Sequence, residues 1–363
     1  MSFSIMDRTW RTTAVRVASL ATVAAVMAMG PGTTAAGAVE HPDPRTLARG
    51  ADAGLPYLQD DKIHAKGRAT PVEVPHDGER QVLLGRSGKD RLVASGKDGV
   101  ISVHRIRRGR SPELVPQGRD DYKPTKNLGV LLSRGGTRLV WTEFPRYGST
   151  TQVRRVSDGY LFEDDGEPEI FTSGLPFDAA GSRVLIEGSV DGEDGGETGG
   201  TAVWRPGVDL RVVHYRGISG GFITRDVMFL EQGWRRYGPT SISDPGTPAW
   251  SDRFTPLDLA PNGRRVLGVA TTQLRGRDVL QVRRMRDGKV LRSWTFGRAA
   301  VMGEPAFGQE QTARFETDAR VVFEVSRAGR SALVRCRVRG ECRRASRLGG
   351  PISFGRERFV WTS

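Results

Sequence analysis

Apolar residues along the chain fall in short runs that alternate with polar residues, and turn-forming residues separate the runs. Gly99–Arg105 and Leu280–Arg284 are typical examples. Asp-Gly dipeptides at 98–99, 158–159 and 287–288 are typical of hairpin turns, because a positive φ costs little at these residues. Helical periodicity is nearly absent, and its best candidate is the short polar stretch 44–53. The pattern predicts an all-β chain.

A loose repeat organises these strands. Each copy has two or three apolar residues, a turn containing Gly, Asp or Asn, an arginine and a second apolar run; the clearest copy is Leu257–Val269. Seven residues mark the copies, the fourth of which lacks the arginine: Arg91, Arg138, Arg183, Asp226, Arg265, Arg320 and Arg358. They lie 38 to 55 residues apart. The spacing centres on the mid-forties, which is the length of a four-stranded propeller blade.

Seven copies predict a single β-propeller of seven four-stranded blades over residues 55–363. Only five residues follow Arg358, whereas strands at 62–66 and 70–74 have no copy of the repeat before them. Pairing inner C-terminal strands with outer N-terminal strands would close the ring and remove two exposed sheet edges. The fourth blade is the weakest prediction, because residues 231–252 are rich in Pro, Gly and Ser. Six blades is therefore the alternative.

One copy of the repeat carries a resemblance to known propellers. Leu259-Ala-Pro-Asn-Gly-Arg-Arg-Val-Leu267 resembles the Ser-Pro-Asp-Gly-Arg turn of TolB-like and WD-repeat-like propellers. With its apolar leader, arginine-rich composition and a Cys-turn-Cys hairpin in the penultimate blade, the chain is similar to secreted actinobacterial β-propellers of unassigned function. The resemblance implies a propeller fold and a role as a binding platform, but no particular activity.

The first 38 residues have the features of a signal peptide. Three arginines precede the apolar run Val17–Met29, and Ala36-Gly37-Ala38 supply the small residues of a cleavage site. The run is shorter than the roughly 20 residues that span a bilayer, and a retained signal anchor is the alternative. We therefore predict a signal peptide at 1–38, a linker at 39–54 and the propeller at 55–363. The mature protein is expected to be a secreted monomer with no membrane span, extracellular or associated with the cell wall.

The chain carries a formal charge of +13 at pH 7, with 55 Lys and Arg against 42 Asp and Glu. Most of the cations are arginines scattered at blade turns and along strands, so no basic stripe or motif for nucleic acid is present. We predict no nucleic-acid partner. For an exported protein, the charge predicts attraction to anionic wall polymers or lipid headgroups, which salt would screen.

Two cysteines, Cys336 and Cys342, flank a turn at Gly340. An even pair of cysteines in an exported protein is expected to oxidise, and facing positions of a hairpin lie within bridging distance. A zinc site would need two further ligands, and no histidine lies in this region. The sequence therefore predicts a local disulfide.

Motifs of common catalytic chemistries are weak. Gly217-Ile-Ser219-Gly-Gly221 matches the Gly-x-Ser-x-Gly string, but the residues that follow continue as a strand where a nucleophile elbow needs a helix. We interpret it as a turn between strands. The five histidines are isolated from one another, and no phosphate-binding loop or dinucleotide motif is found.

Two loops stand out by composition. Acidic residues at Asp191, Glu193, Asp194 and Glu197 could form a weak calcium site, although a solvated flexible loop is the favoured interpretation. No other cofactor is predicted. The second loop offers aromatic and cationic groups that could contact a ligand: Trp234, Arg235, Arg236, Tyr237 and Trp250. Its alternative role, which we favour, is a plug that packs an irregular blade against its neighbour.

These observations favour a secreted, non-catalytic binding platform for a protein or a cell-envelope polymer. Binding is expected on the loop faces around the central channel, where loops converge on a concave surface. The alternative is an extracellular propeller hydrolase or lyase that acts on carbohydrate or peptide. Carboxylates converging at the channel mouth about 5 to 10 Å apart would favour the enzyme.

Overall fold

The structure is a computed structural model. It describes residues 41–76, 81–97, 100–116, 128–143, 150–162, 171–191, 197–205, 208–214, 216–233, 235–271, 278–296, 312–355 and 358–360. The predicted signal peptide lies outside these residues. Within them, no helix is long and apolar enough to cross a membrane.

The described strands form seven antiparallel sheets, which we number as blades one to seven along the chain. Blade one contains β4 (Val82–Ser87), β5 (Asp90–Lys97), β6 (Val100–Ile106) and β7 (Glu113–Leu114). Blade two contains β8 (Leu128–Leu132), β9 (Arg138–Glu143), β10 (Thr150–Arg155) and β11 (Leu161–Phe162). Blade three contains β12 (Phe171–Ala180), β13 (Arg183–Asp191), β14 (Glu197–Arg205) and β15 (Val208–His214).

Blade four contains β16 (Ile218–Phe222), a 3-10 turn at Ile223–Arg225, β17 (Val227–Glu231) and β18 (Tyr237–Ser241). Blade five contains β19 (Phe254–Leu259), β20 (Arg265–Thr271), β21 (Asp278–Arg284) and β22 (Val290–Thr295). Blade six contains β23 (Ala313–Thr317), β24 (Arg320–Arg327), β25 (Arg330–Arg337) and β26 (Cys342–Arg344). Blade seven contains β27 (Ser353–Phe354) from the C-terminal end, followed outward by β1 (Tyr57–Gln59), β2 (Lys62–Ala65) and β3 (Arg68–Pro71).

Seven hydrophobic clusters of described residues hold the blades together, one at each interface between neighbours. The cluster between blades five and six contains Leu280, Trp294 and Phe323, and that between blades six and seven contains Leu333 and Phe354. The other five join the remaining neighbours in ring order. Because successive side chains of a strand point to opposite faces, each blade supplies apolar residues to both neighbours. The predicted all-β, seven-bladed propeller is confirmed.

The ring closes through strands from both ends of the chain, but the number of strands that each end supplies to blade seven differs from the prediction. One C-terminal strand, β27, pairs with β1, so three N-terminal strands complete blade seven. The last strand, β28 (Arg358–Val360), pairs instead with β8 and adds a fifth strand to the blade-two sheet. Since β1 already occupies the place beside β27, β28 pairs with the free edge of β8.

The irregularity expected in blade four is also present. This sheet has three strands, and residues 242–252 return beside β18 with a single bridge between Tyr237 and Asp252. At the other end of the ring, residues 48–53 run along β26 and exchange backbone hydrogen bonds with Arg344 and Ala345. Most of the predicted linker that the structure describes is therefore packed against blade six.

Candidate functional site

A cleft of about 910 Å³ lies at the turns of blades four to six. We call it the turn cleft. Its walls come from the start of β17, from β18, from the β19–β20 and β21–β22 turns, and from the β25–β26 turn. A volume of this size is within the range of ligand pockets, and turn residues on a rigid blade are common positions for binding groups.

The clearest copy of the repeat forms one wall of the turn cleft. In its β19–β20 turn, Gly263 has a φ of 71°, and the Asn262 side chain accepts a hydrogen bond from the Arg264 amide. The Asn262 amide donates to the Asp318 carboxylate of blade six over 2.9 Å, and Arg265 donates to the Asp318 carbonyl. Because blade six holds this turn from behind, the residues that face the cleft are fixed in place.

The wall from blade four is built on Asp226, which has a left-handed backbone with a φ of 54°. Its carboxylate accepts hydrogen bonds from the Ser241 hydroxyl over 2.6 Å and from the Ser243 amide and hydroxyl. Burial by itself would raise the pKa of Asp226, but these hydrogen bonds outweigh it and hold the pKa below its usual value. Asp226 therefore stays ionised near neutral pH.

Arginines and apolar side chains share the rest of the cleft. Arg284 forms an ion pair of 2.5 Å with Asp287, whereas Arg264 and Arg339 have no ion-pair partner within the described part of the chain. The apolar lining comes from five side chains: Val227, Pro239, Ala249, Met285 and Leu291. An arginine keeps its charge throughout the ordinary pH range, so these groups are suited to attract anions and not to transfer protons.

The structure places the predicted aromatic loop beside the turn cleft. The Trp250 indole packs edge-on against Phe229 and Phe254 and donates to the Met285 carbonyl over 2.7 Å. Arg283 lies over the Trp250 ring at 5.7 Å and pairs with Asp252 at 2.9 Å. These contacts place Trp250 at the interface of blades four and five.

The remaining members of this loop have different surroundings. Tyr237 is half-buried, while Arg235 and Arg236 are exposed; Arg236 donates to the Ser251 carbonyl over 2.9 Å. Trp234 lies outside the described residues. Ligand contact by this loop stays a prediction.

Of the acidic loop, the structure describes only the backbone of Asp191 and Glu197, which pair across β13 and β14. Glu193 and Asp194 lie outside the described residues. In the part of the chain that is described, no three His, Cys, Asp or Glu side chains are grouped as a metal site. Calcium binding at this loop stays a prediction.

The Gly-x-Ser-x-Gly string is part of an inner strand, not a turn. Ser219 lies in β16, and its hydroxyl reaches the Phe254 carbonyl at 3.5 Å. A Cβ on Gly221 would lie 2.1 Å from the Leu185 side chain, and one on Gly220 would lie 2.8 Å from Pro256. The glycines are therefore explained by the close approach of neighbouring blades, which the sequence did not reveal.

Sequence reasoning missed the residues that form the turn cleft, although it found the turn that carries several of them. Asn262, Arg264 and Arg265 belong to the repeat copy with the clearest turn. Asp226 marks the weakest copy. Only the meeting of three blades brings these positions together with Arg339.

Comparisons with known proteins give structural likeness only. No family model and no curated protein matches the chain. A 1.18 Å crystal structure of uncharacterized protein lmo1340 from Listeria monocytogenes EGD-e is 11% identical over 76% of this chain and 85% of that one, with a TM-score of 0.47. A putative TolB from Agrobacterium tumefaciens is 13% identical over 85% and 96%, with a TM-score of 0.37. TolB from Acinetobacter baumannii is 12% identical over 80% and 68%, with a TM-score of 0.41. With identities of 11 to 13% and TM-scores below 0.5, these are likenesses of structure alone.

Proposed function

We propose that this protein is a secreted, non-catalytic binding platform whose turn cleft holds an acidic and partly apolar segment of a partner protein. The observation that carries the proposal is the composition of the cleft, in which arginines without ion-pair partners lie beside apolar side chains. Arg264 and Arg339 offer charge to acidic residues, and Met285 and Leu291 offer apolar contact. A peptide segment can present both kinds of group in alternation.

The ionisable groups of the cleft support binding over catalysis. The enzyme alternative asks for two carboxylates that face each other, one as acid and one as base. Among the described residues that line the cleft, only Asp226 carries a carboxylate, so the second one is missing there. Hydrogen bonds from Ser241 and Ser243 hold Asp226 in its ionised form. These surroundings favour a structural role for Asp226 over a role as general acid.

Secretion rests on the N-terminal leader, and the disulfide between Cys336 and Cys342 is compatible with an oxidising compartment. The net charge supports an acidic partner, because a basic surface raises the rate of encounter with one. Salt screens scattered surface charges first, so we expect the binding that persists at high salt to occur in the turn cleft.

The test compares residues 39–363 with a charge-reversal variant, Arg264→Glu together with Arg339→Glu. Each is immobilised and exposed to secreted and envelope proteins of the source organism at low and at high salt, and bound proteins are identified by mass spectrometry. The matched control reverses Arg108 and Arg110, which are exposed residues of blade one. We expect one partner that the parent and the control retain at high salt and the cleft variant loses.

Two results would contradict the proposal. The cleft variant would retain the same partner as the parent at high salt, or the parent would retain nothing once salt is raised. In the first case the partner binds elsewhere on the propeller. In the second the arginines act only as a diffuse charge.

A further inference from the structure

A second cleft, of about 570 Å³, lies on the outer part of blade six, where residues 50–51 run beside β26. We call it the arginine cleft. Five arginines line it, with small residues and Glu341 completing the wall: Arg320, Arg335, Arg337, Arg343 and Arg344. Apart from the side chains of these arginines, the apolar lining is limited to alanines and glycines. Its chemistry therefore differs from that of the turn cleft.

Strand register places four of the five arginines on one face of the blade. Arg320 of β24 lies directly opposite Arg337 of β25. Arg335 of β25 lies opposite Arg343 of β26. Arg335 and Arg337 are two residues apart on one strand and so share a face. The same face carries Leu333 further inward, and Leu333 packs against blade seven.

Few acidic groups balance these charges. Glu316 pairs with Arg335 at 2.6 Å, and Glu341 lies 3.5 Å from Arg343 with both side chains exposed. Arg320 and Arg337 are exposed and have no ion-pair partner among the described residues. Like charges directly opposite each other destabilise a sheet, so this arrangement is costly unless an anion occupies the cleft.

The cleft also has hydrogen-bond donors in place before any ligand arrives. Arg335 is held by Glu316 and donates to the carbonyls of Ala51 and Asp52, at 3.1 and 2.6 Å. The Nε–H groups of Arg335 and Arg344 are buried without a hydrogen-bond partner within the described part of the chain. A buried donor left unsatisfied is unfavourable, which adds to the cost of this arrangement while the cleft is empty.

We propose that the arginine cleft binds phosphate groups. The charged guanidinium groups of Arg320, Arg337 and Arg343 come from three adjacent strands and lie side by side on one face, so one ligand can contact more than one of them. A tetrahedral phosphate offers oxygens in several directions, whereas a planar carboxylate is matched by one guanidinium fork. Two negative charges, carried by one phosphate dianion or by two successive phosphodiesters, also balance facing arginine pairs better than a single carboxylate does. The site does not depend on the turn cleft, so its test is separate from that of the proposed function.

The disulfide lies directly behind this site, on the opposite face of the blade. Cys336 separates Arg335 from Arg337 on β25, and Cys342 precedes Arg343 on β26. The two cysteines face each other with their Cα atoms 4.1 Å apart. Their side chains point away from the arginine face, and Cys336 belongs to the core between blades five and six. The bond therefore joins two strands whose arginines repel each other and keeps the site assembled when it is empty.

Calorimetric titration of residues 39–363 tests the proposal. The probes are inorganic pyrophosphate, inorganic tripolyphosphate and a synthetic glycerol-phosphate oligomer, with citrate as a carboxylate of comparable charge. The binding variant replaces Arg320 and Arg337 by glutamine, and the control replaces Arg108 and Arg110 by glutamine. We expect the phosphate probes to bind the parent and the control equally, and to bind the R320Q/R337Q variant at least tenfold more weakly.

A second measurement shows whether the variant is folded. Because the substitutions remove repulsion between facing arginines, we expect the melting temperature of R320Q/R337Q to equal or exceed that of the parent.

Tighter binding of the oligomer than of pyrophosphate would identify a phosphodiester polymer as the source of the phosphate. The reverse order would identify a free oligophosphate, and either order supports the site. Absence of phosphate binding by the parent, undiminished binding by the folded variant, or equally tight citrate binding would overturn the proposal.

Discussion

Single carboxylates join neighbouring blades by accepting hydrogen bonds from backbone amides across the interface. Asp258 of blade five accepts the Phe315 amide of blade six over 2.8 Å. Glu324 of blade six accepts the Ile352 amide just before β27 over 3.1 Å. Both carboxylates and both amides are buried, and burial makes each such hydrogen bond expensive to lose.

Asp178 joins three blades at once. It lies on β12, accepts the Ile223 amide of blade four over 2.9 Å, and accepts the Nε–H of Arg134 of blade two through both of its oxygens, at 2.9 and 2.8 Å. The guanidinium of Arg134 also lies 5.6 Å from the centre of the Phe222 ring. Removing the carboxylate would leave a cation and an amide inside the protein with no acceptor.

We predict that Asp178→Ala lowers the free energy of unfolding by about 3 to 5 kcal/mol, the usual cost of removing one partner of a buried ion pair. Asp178→Asn, which keeps an acceptor oxygen, should cost less. The control is Asp158→Ala, because Asp158 is exposed, and its ion pair with Arg155 at 2.9 Å and its hydrogen bond from the Tyr160 amide should cost much less to lose than buried ones. Chemical denaturation followed by circular dichroism measures all three. Equal losses for Asp178→Ala and Asp158→Ala would contradict this role.

His104 predicts a dependence of stability on pH. It is buried in blade one, its Nε2 lies 3.0 Å from the Ser102 hydroxyl, and burial lowers the pKa of its imidazole below the ordinary value of 6.5. The folded state therefore binds a proton less readily than the unfolded chain. The stability that neutral His104 contributes is complete above about pH 6.5 and is lost as the pH falls toward the folded-state pKa.

Melting temperatures measured between pH 7.5 and 5 should fall for the parent protein and fall less for His104→Gln. His64 and His214 have pKa values lowered chiefly by burial as well, so part of the decline should remain in the variant. Identical pH profiles for parent and variant would show that His104 is protonated equally in both states.

At the scale of elements, blade four depends on its neighbour to replace its missing strand. Trp250 from the returning segment packs over the β21–β22 turn of blade five. A Cβ added to Gly288 in that turn would lie 2.6 Å from the indole Cδ2. Gly288 also has a φ of 67°, so both its backbone and its lack of a side chain are required here.

Gly263 in the β19–β20 turn offers a matched comparison, because it has a φ of 71° with nothing within 4 Å of an added Cβ. We predict that Gly263→Ala costs about 1 to 2 kcal/mol from the backbone alone. Gly288→Ala should cost a further 1 to 3 kcal/mol, roughly, because the Trp250 ring must move. Denaturation midpoints of the two variants measure the difference. Equal midpoints would mean that Trp250 does not depend on this contact.

At the scale of the whole molecule, ring closure rests on a strand of two residues. Ser353 and Phe354 of β27 pair with β1, the Ser353 hydroxyl accepts the Leu83 amide over 2.8 Å, and Phe354 is fully buried. A propeller without this strand would expose the inner edge of blade seven and the part of the core between blades six and seven that Phe354 covers.

Two truncations distinguish the contribution of β27 to stability from that of β28. A chain ending at Gly355 loses β28 and keeps β27, and should remain folded with a modestly lower melting temperature. A chain ending at Gly350 loses both strands together with Ile352 and Phe354 of the interface core. We expect this chain to melt at a much lower temperature and to lose solubility. Similar melting curves for the two truncations would show that β27 does not close the ring.

The sequence determined the fold class, the number of blades, the N-terminal to C-terminal closure and the position of the irregular blade. These properties depend on local patterns, namely alternating strands, turn dipeptides and a repeat of about one blade in length. The pairing of Cys336 with Cys342 could also be predicted from the sequence, because the two residues are only six positions apart.

The tertiary structure alone decided which strand occupies each place at the closure and which side chains meet at the two clefts. Asp226, Arg264 and Arg339 are separated by dozens of residues, and only the rotation from one blade to the next brings their turns together. The five arginines of the second cleft lie closer together, between residues 320 and 344, but strand register places four of them on one face and residues 50–51 complete the cleft. A local pattern specifies a strand or a turn, but the contacts between blades are set by packing across the ring, and no single stretch of sequence contains that information.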